Sequence, residues 1–236
     1  MSASEDKIKK AFKQKTWNEI KATDSWQIFK IMAEFVEGFE KLSSIGPCVS
    51  IFGSARTKPE NEYYQLAEEV AYILTQYGYG VITGGGPGIM EAANKGAKKG
   101  GGKSAGINIH LPFEQTSNPY IDKDKLITFK HFFVRKVMFQ KYAQGFIVLP
   151  GGFGTFDEFF ESATLIQTGK IGKFPIVLVG TSYWKGLVDW MQEKVLEEQK
   201  NISPDDKELF TLVDSADEAV EVINDFYSKY LLSPNF

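Results

Sequence analysis

The chain has 236 residues, of which 43% are hydrophobic and 24% are charged, and its formal net charge is −3. This slightly acidic composition is typical of a soluble globular protein and argues against a nucleic-acid partner, which favours a basic domain. The absence of a long apolar run excludes a membrane-spanning helix, and the single cysteine, Cys48, excludes an intramolecular disulfide. Since the first residues are charged and lack the apolar segment of a signal peptide, we expect a cytoplasmic protein.

Residues 4–42 predict a helical extension that packs on the main domain or on a second subunit. Asp24 or Ser25 is the candidate cap of its helix, and the Gly46-Pro47 pair ends the segment. The predicted division is therefore an extension over residues 1–46 and a main domain over residues 47–236. The apolar residues near helical spacing in the extension are Trp26, Phe29, Ile31, Met32, Phe35, Val36 and Phe39.

From Cys48 onward, short β-branched runs alternate with helical patterns. The predicted strands are residues 49–52, 80–83, 103–109, 126–129, 145–149, 175–179 and 209–213. The predicted helices are residues 61–77, 88–99, 131–142, 155–167, 184–198 and 215–230. Nearly continuous apolar strands that alternate with helices predict a parallel sheet covered on both faces. Right-handed crossovers then give a Rossmann-like, doubly wound α/β fold.

Two glycine-rich loops, residues 84–91 (GGGPGIME) and 150–158 (PGGFGTFDE), each follow a predicted strand and open a predicted helix. Glycine lets a ligand approach the main chain closely, and the helix N-terminus adds partial positive charge. Such loops suit a phosphate, and ligands of open parallel sheets bind at the carboxyl ends of the strands. Neither loop has the Gly-Lys-Ser/Thr ending of a P-loop, and the first matches the dinucleotide fingerprint only loosely, which disfavours an NAD enzyme.

Several polar residues near these loops are candidates for chemistry, each with an alternative structural role. Glu158 is either a catalytic carboxylate or the partner of Thr155 in a helix capping box, and Glu91 is open to the same two interpretations. Arg135 lies near the start of a predicted helix, where a cation opposes the helix dipole, and this favours an anionic partner. Two histidines and one cysteine that lie far apart predict no metal site.

The two glycine motifs, together with the upstream pair Arg135-Lys136, resemble the LOG family of cytokinin riboside 5′-monophosphate phosphoribohydrolases. Many relatives carry the label "possible lysine decarboxylase", but no lysine here has a context suited to the pyridoxal phosphate that decarboxylation needs. The resemblance implies hydrolysis of the N-glycosidic bond of a purine nucleoside 5′-monophosphate, such as AMP or isopentenyladenosine monophosphate. The products are the free base and ribose 5-phosphate, and no cofactor is expected.

The resemblance also implies roles for individual residues and an assembly. Arg135 and Glu158 match the catalytic positions of the family. We expect an active site at a dimer interface, and Pro87, Glu91 and the helical extension resemble a longer subgroup that tends to form hexamers. Neither nucleic acid nor a membrane is an expected partner. The substrate- and phosphate-binding candidates are Gly53, Ser54, Gly84, Gly85, Gly86, Met90, Glu91, Lys136, Gly151, Gly152, Gly154 and Thr155.

One alternative remains at this point. A non-catalytic protein that binds a nucleotide or the molybdenum cofactor on the same fold would use similar glycine loops. The presence of both Arg135 and Glu158 favours the enzyme.

Overall fold

The computed structural model describes residues 17–111, 117–230 and 235, with side chains described from residue 26 onward. A 3₁₀ turn at Lys123–Lys125 precedes the fourth strand, a π-helical segment Met191–Glu198 continues the sixth helix, and a second 3₁₀ segment spans Pro204–Leu209. The strands are β1 (Cys48–Phe52), β2 (Gly80–Thr83), β3 (Ser104–Ile109), β4 (Leu126–Phe129), β5 (Ala143–Val148), β6 (Ile176–Val179) and β7 (Thr211–Val213). The helices are α1 (Trp17–Leu42), α2 (Glu62–Gln76), α3 (Ile89–Lys99), α4 (Phe132–Tyr142), α5 (Phe153–Gln167), α6 (Thr181–Trp190) and α7 (Ala216–Lys229).

The seven strands form one parallel sheet in the order β4-β3-β2-β1-β5-β6-β7. The chain builds outward from β1 to one edge, returns to the centre at β5, and then builds toward the other edge. The order therefore reverses between β1 and β5, and in doubly wound sheets this switch point is where ligands bind. The predicted Rossmann-like fold is confirmed.

Both faces of the sheet are covered because successive strand residues point to opposite sides. In β1, for example, Val49 and Ile51 pack with α2, α3 and α7, whereas Cys48 and Phe52 pack with α1, α4, α5 and α6. All four residues are at most 5% exposed. The same alternation in β5 places Ile147 on the first face and the neighbouring strand residues on the second.

The predicted elements differ from the structure mainly at their ends. The last strand is only three residues long, because residues 204–209 form a 3₁₀ segment that starts at Pro204 and is capped by Ser203 and Asp206. Strand β5 starts at Ala143, directly after α4, rather than at residue 145. The last helix begins with a capping box that Ser215 forms with Glu218.

Helix α1 runs through Asp24 and Ser25 without interruption, so the prediction that either residue caps it is wrong. The first residues of the predicted extension, up to residue 16, lie outside the described part. The helix packs against α4 and β4, with Ile31 and Phe35 on the core and Gly38 against Met138.

The single apolar face predicted for α1 is divided in the structure between the core and the exposed surface. The exposed members are Trp26, Phe29, Met32, Val36 and, at 37% exposure, Phe39. No helix in the described ranges is long and apolar enough to cross a bilayer.

Candidate active site

Three loops meet at the carboxyl ends of β1, β2 and β5, at the switch point. Ser54 joins them through its main chain: its N–H donates to the Pro150 carbonyl at 3.0 Å, and its carbonyl accepts from Ile89 N–H at 3.0 Å. Gly53 packs on the same helix start, where an added Cβ would lie 2.6 Å from Ile89 Cγ2. The structure therefore brings Gly53 and Ser54, which follow β1, together with both glycine-rich loops.

The first glycine loop is held by a buried network of polar side chains. Gly85 has φ +75°, which favours glycine, and its N–H donates to Thr83 Oγ1 at 3.0 Å. Asn118 donates from its main chain to the Gly85 carbonyl at 2.9 Å and from Nδ2 to the Gly86 carbonyl at 3.0 Å. Asn94 completes the network by accepting from Asn118 Nδ2 at 2.9 Å and from Thr83 Oγ1 at 2.6 Å. These contacts fix the peptide planes of the loop.

The three supporting side chains were not identified from the sequence. Thr83 ends a predicted strand, Asn94 lies inside a predicted helix, and Asn118 lies outside the predicted strands and helices. A polar residue on the buried side of an apolar element indicates that its side chain has hydrogen-bond partners. The sequence does not show which residues these partners are.

The guanidinium of Arg135 occupies the space that a side chain at Gly84 would fill. A Cβ on Gly84 would stand 2.6 Å from Arg135 Nη2 and 2.7 Å from Met90 Sδ. Arg135 is the fourth residue of α4, and its Cζ lies 5.2 Å from the centre of the Phe139 ring. Its Nε is buried and has no hydrogen-bond partner within the described part of the chain. Burial lowers the pKa of Arg135, an effect that the nearby Glu158 opposes, and the guanidinium remains charged.

Glu158 is the sixth residue of α5 and is 5% exposed. Its Oε2 is buried without a hydrogen-bond partner among the described residues. Desolvation raises the pKa of Glu158 from its ordinary 4.5 to about 7, although the cations of Arg135 and Lys136 act in the opposite direction. No hydrogen bond or ion pair within the described ranges joins Arg135 to Glu158, so both groups retain bonding capacity for a ligand.

The capping-box interpretation of Glu158 is wrong. The N-cap of α5 is Gly152, which makes Thr155 the third residue of the helix rather than its cap. A capping box over these two residues would require Thr155 at the N-cap position. Helix α5 therefore starts without a side-chain cap. The N–H of Thr155 donates to the Gly152 carbonyl at 2.9 Å, which leaves the preceding N–H groups, of Phe153 and Gly154, to an anion.

The second glycine loop is fixed on one side and open on the other. Thr155 is buried and its side chain occupies the space where a Cβ on Gly151 would stand. The Gly151 carbonyl accepts from Tyr183 Oη at 2.5 Å. Gly152 and Gly154 are exposed, and no described atom lies within 4 Å of the position of a Cβ on either. The open side, at the uncapped start of α5, has the geometry that suits a phosphate group.

Two further candidate residues already have partners in the protein. Lys136 Nζ forms ion pairs with Asp157 Oδ1 at 2.9 Å and Glu161 Oε2 at 3.2 Å, which directs its ammonium group toward α5. Glu91 Oε1 accepts a hydrogen bond from Tyr64 Oη at 3.2 Å, and the burial of the phenol and the nearby carboxylate raise the pKa of Tyr64 to about 12. Their contact with substrate stays a prediction. The described residues contain no cluster of ligands that would hold a metal ion.

A doubly wound parallel sheet, with two glycine-rich helix starts and the buried side chains of Arg135 and Glu158 near the switch point, defines the Rossmann-like class of α/β protein. Comparison with known proteins identifies the family. The model of a family described as "Possible lysine decarboxylase" matches residues 90–223. The chain is 32% identical over 162 residues to the cytokinin riboside 5′-monophosphate phosphoribohydrolase of Mycobacterium tuberculosis, covering 67% of this chain and 84% of that protein.

The protein of the same name from Mycobacterium marinum is 29% identical over 169 residues, which cover 71% of this chain and 88% of that protein. The chain therefore belongs to the LOG family. It is an enzyme, and it is not a lysine decarboxylase. The structure of the molybdenum cofactor carrier protein from Chlamydomonas reinhardtii is similar, with a TM-score of 0.53 and 21% identity over 78% of this chain and 99% of that chain. This second likeness shows the fold.

Proposed function

We propose that the protein hydrolyses the N-glycosidic bond of a purine nucleoside 5′-monophosphate, AMP or isopentenyladenosine monophosphate. Water adds to the anomeric carbon of the ribose, the bond to the base breaks, and the base leaves with a proton. The products are the free base and ribose 5-phosphate. The names of the related proteins support this reaction class, and the chemistry of the site supports it independently.

The observation that carries the proposal is the buried, unpartnered carboxyl group of Glu158. Cleavage of a glycosidic bond passes through an oxocarbenium-like state with positive charge at the anomeric carbon. An ionised carboxylate in a poorly solvated site stabilises such charge and orients or activates water. A capping carboxylate would accept a hydrogen bond from the helix start, which Glu158 does not do. For a catalytic carboxylate, burial strengthens the electrostatic interaction with the positive charge of the transition state.

In this mechanism the phosphate and the arginine position the substrate. The 5′-phosphate binds the uncapped start of α5 at Gly152 and Gly154, where N–H groups and the helix dipole attract it. Arg135 pairs with the ribose hydroxyls or the phosphate through its free Nε. Binding energy from the phosphate then orients the anomeric carbon against Glu158, so a nucleoside without phosphate is a poor substrate.

We further propose that the active form is a dimer or a larger assembly such as a hexamer. Phe153, at the start of α5, is 94% exposed, and Phe160 on the next turns of the same helix is 39% exposed. Together with Phe156 and Leu165 they line a shallow groove on the exposed side of α5, whose polar members are Asp157, Glu161 and Thr164. An exposed apolar patch that is rimmed by polar residues is typical of an interface. Sedimentation of Phe160→Asp as a monomer, with the wild type as a dimer or larger, would support this assembly; a monomeric wild type would contradict it.

The reaction is tested by chromatography of the base released from AMP, with Glu158→Gln in parallel. We expect the variant to lose about 10²-fold or more in kcat, while Glu69→Gln, a change of the same kind at an exposed position of α2, keeps the wild-type rate. Calorimetric binding of AMP by the wild type without release of base would contradict hydrolysis and would support a carrier. Release of base by Glu158→Gln at the wild-type rate would remove Glu158 from the mechanism.

A further inference from the structure

A carboxylate from the N-terminal helix lies at the start of α4, the helix that carries Arg135. Glu34 of α1 accepts hydrogen bonds from the main-chain N–H of Lys130, at 3.2 Å to Oε1, and of His131, at 3.3 Å to Oε2. Its Oε2 also lies 3.1 Å from His131 Nδ1, and the side chain of Glu34 is only 14% exposed. This contact spans nearly a hundred residues of sequence.

Helix α4 has no cap of its own. His131 is the N-cap residue, but its side chain makes no capping hydrogen bond, and the first turn contains no acidic residue. In a capping box the side chain of the third helical residue accepts a hydrogen bond from the N–H of the N-cap residue. In α4 that third residue is Val134, whose side chain has no acceptor atom. Glu34 supplies the missing acceptor from another helix, and its negative charge suits the positive end of α4.

The group that Glu34 holds is directly linked to Arg135. The carbonyl of His131 accepts the main-chain N–H of Arg135 at 3.3 Å, which closes the first turn of α4. The guanidinium lies against Gly84, with little space to move there. A change in the position of the first turn would therefore change the direction of the Arg135 side chain.

We propose that Glu34 is a positioning residue for Arg135: it fixes the first turn of α4 and thereby the place of the guanidinium in the site. The inference rests on the proposed function, in which Arg135 holds the nucleotide. Because α1 lies outside residues 90–223, the contact connects the site to a segment beyond the part that the family model matches.

The first test is kinetic. KM and kcat for AMP are measured for Glu34→Ala, Glu34→Gln and the control Glu40→Ala, which changes an exposed carboxylate of the same helix. We expect kcat/KM of Glu34→Ala to fall about tenfold, the size of one charge-assisted hydrogen bond, with most of the change in KM. Glu34→Gln keeps an acceptor oxygen without the charge and should recover part of the loss. Glu40→Ala should match the wild type.

The second test does not depend on turnover. The charged groups that face Glu158 are Arg135 and Lys136 from α4 and Asp157 and Glu161 from α5. Since Arg135 lowers the pKa of Glu158, a displaced guanidinium should raise it further. Carboxyl NMR titration, with the signal assigned by its loss in Glu158→Gln, measures this pKa in the wild type, Glu34→Ala and Glu40→Ala.

The outcomes separate the two proposals. A wild type that hydrolyses AMP, with kcat, KM and the pKa of Glu158 unchanged in Glu34→Ala, overturns the positioning role and leaves the function intact, even if Glu34→Ala melts at a lower temperature. If the wild type hydrolyses neither AMP nor isopentenyladenosine monophosphate, the proposed function fails and the titration decides: a raised pKa of Glu158 in Glu34→Ala supports the positioning of Arg135, and an unchanged pKa overturns it.

Discussion

Replacing Glu158 with glutamine should make the protein more stable above neutral pH while it removes activity. Burial raises the pKa of Glu158 in the folded chain from 4.5 to about 7. Between these two pH values the folded chain keeps a proton that the unfolded chain has released, so the contribution of Glu158 to stability falls as the pH rises through this window. At about 1.4 kcal/mol per pKa unit, the cost above pH 7 is about 3 kcal/mol.

Glutamine has nearly the same shape and never ionises, so the variant avoids this cost. We expect the free energy of unfolding of Glu158→Gln to exceed that of the wild type by about 3 kcal/mol at about pH 8, and the difference to vanish below about pH 4.5. Urea unfolding of both proteins over this pH range measures the difference, in which all other titrating groups cancel. A difference that does not change with pH would refute the assignment of a raised pKa to Glu158.

Three further predictions concern the same site. Gly84→Ala should lower kcat/KM for AMP about tenfold or more by displacing the guanidinium, because the new Cβ would stand 2.6 Å from Arg135 Nη2; wild-type kinetics would contradict the contact. The kcat of the wild type should rise with pH toward a plateau above about pH 7, as Glu158 ionises; a kcat that falls over this range would make the protonated form the active one. Asn118→Asp places an anion against two carbonyl oxygens, and should lower the free energy of unfolding by about 2–4 kcal/mol in urea titrations; an unchanged midpoint would mean that the network contributes little.

The sequence was sufficient for the fold because its signals are local. Strands such as β2, with four buried apolar or small residues in succession, are distinguished from helices by length and composition. The two glycine loops were located because glycine marks them directly. The ends of elements were less accurate, as at β7, because a 3₁₀ turn and an irregular strand start have similar composition.

The sequence identified candidate residues of the site, but it did not show which residues contact one another. Glu158 was open to two roles from the sequence, and its burial, together with the start of α5 at Phe153, excludes the cap. Glu34 gave no signal, since its partner segment lies nearly a hundred residues away and only packing of α1 on α4 brings the two together. The division of the apolar face of α1 into buried and exposed parts likewise depends on where the helix crosses its neighbour.

The measurement that tests the central claim most directly is product analysis after incubation of the wild-type protein with AMP and, separately, with adenosine. The proposal predicts adenine and ribose 5-phosphate in equal amounts from AMP, and far slower release of adenine from adenosine, because the phosphate orients the ribose against Glu158. Release of adenine from both compounds at the same rate would contradict the role of the phosphate. Formation of adenosine and inorganic phosphate from AMP, or no product from AMP, would contradict hydrolysis of AMP at its N-glycosidic bond.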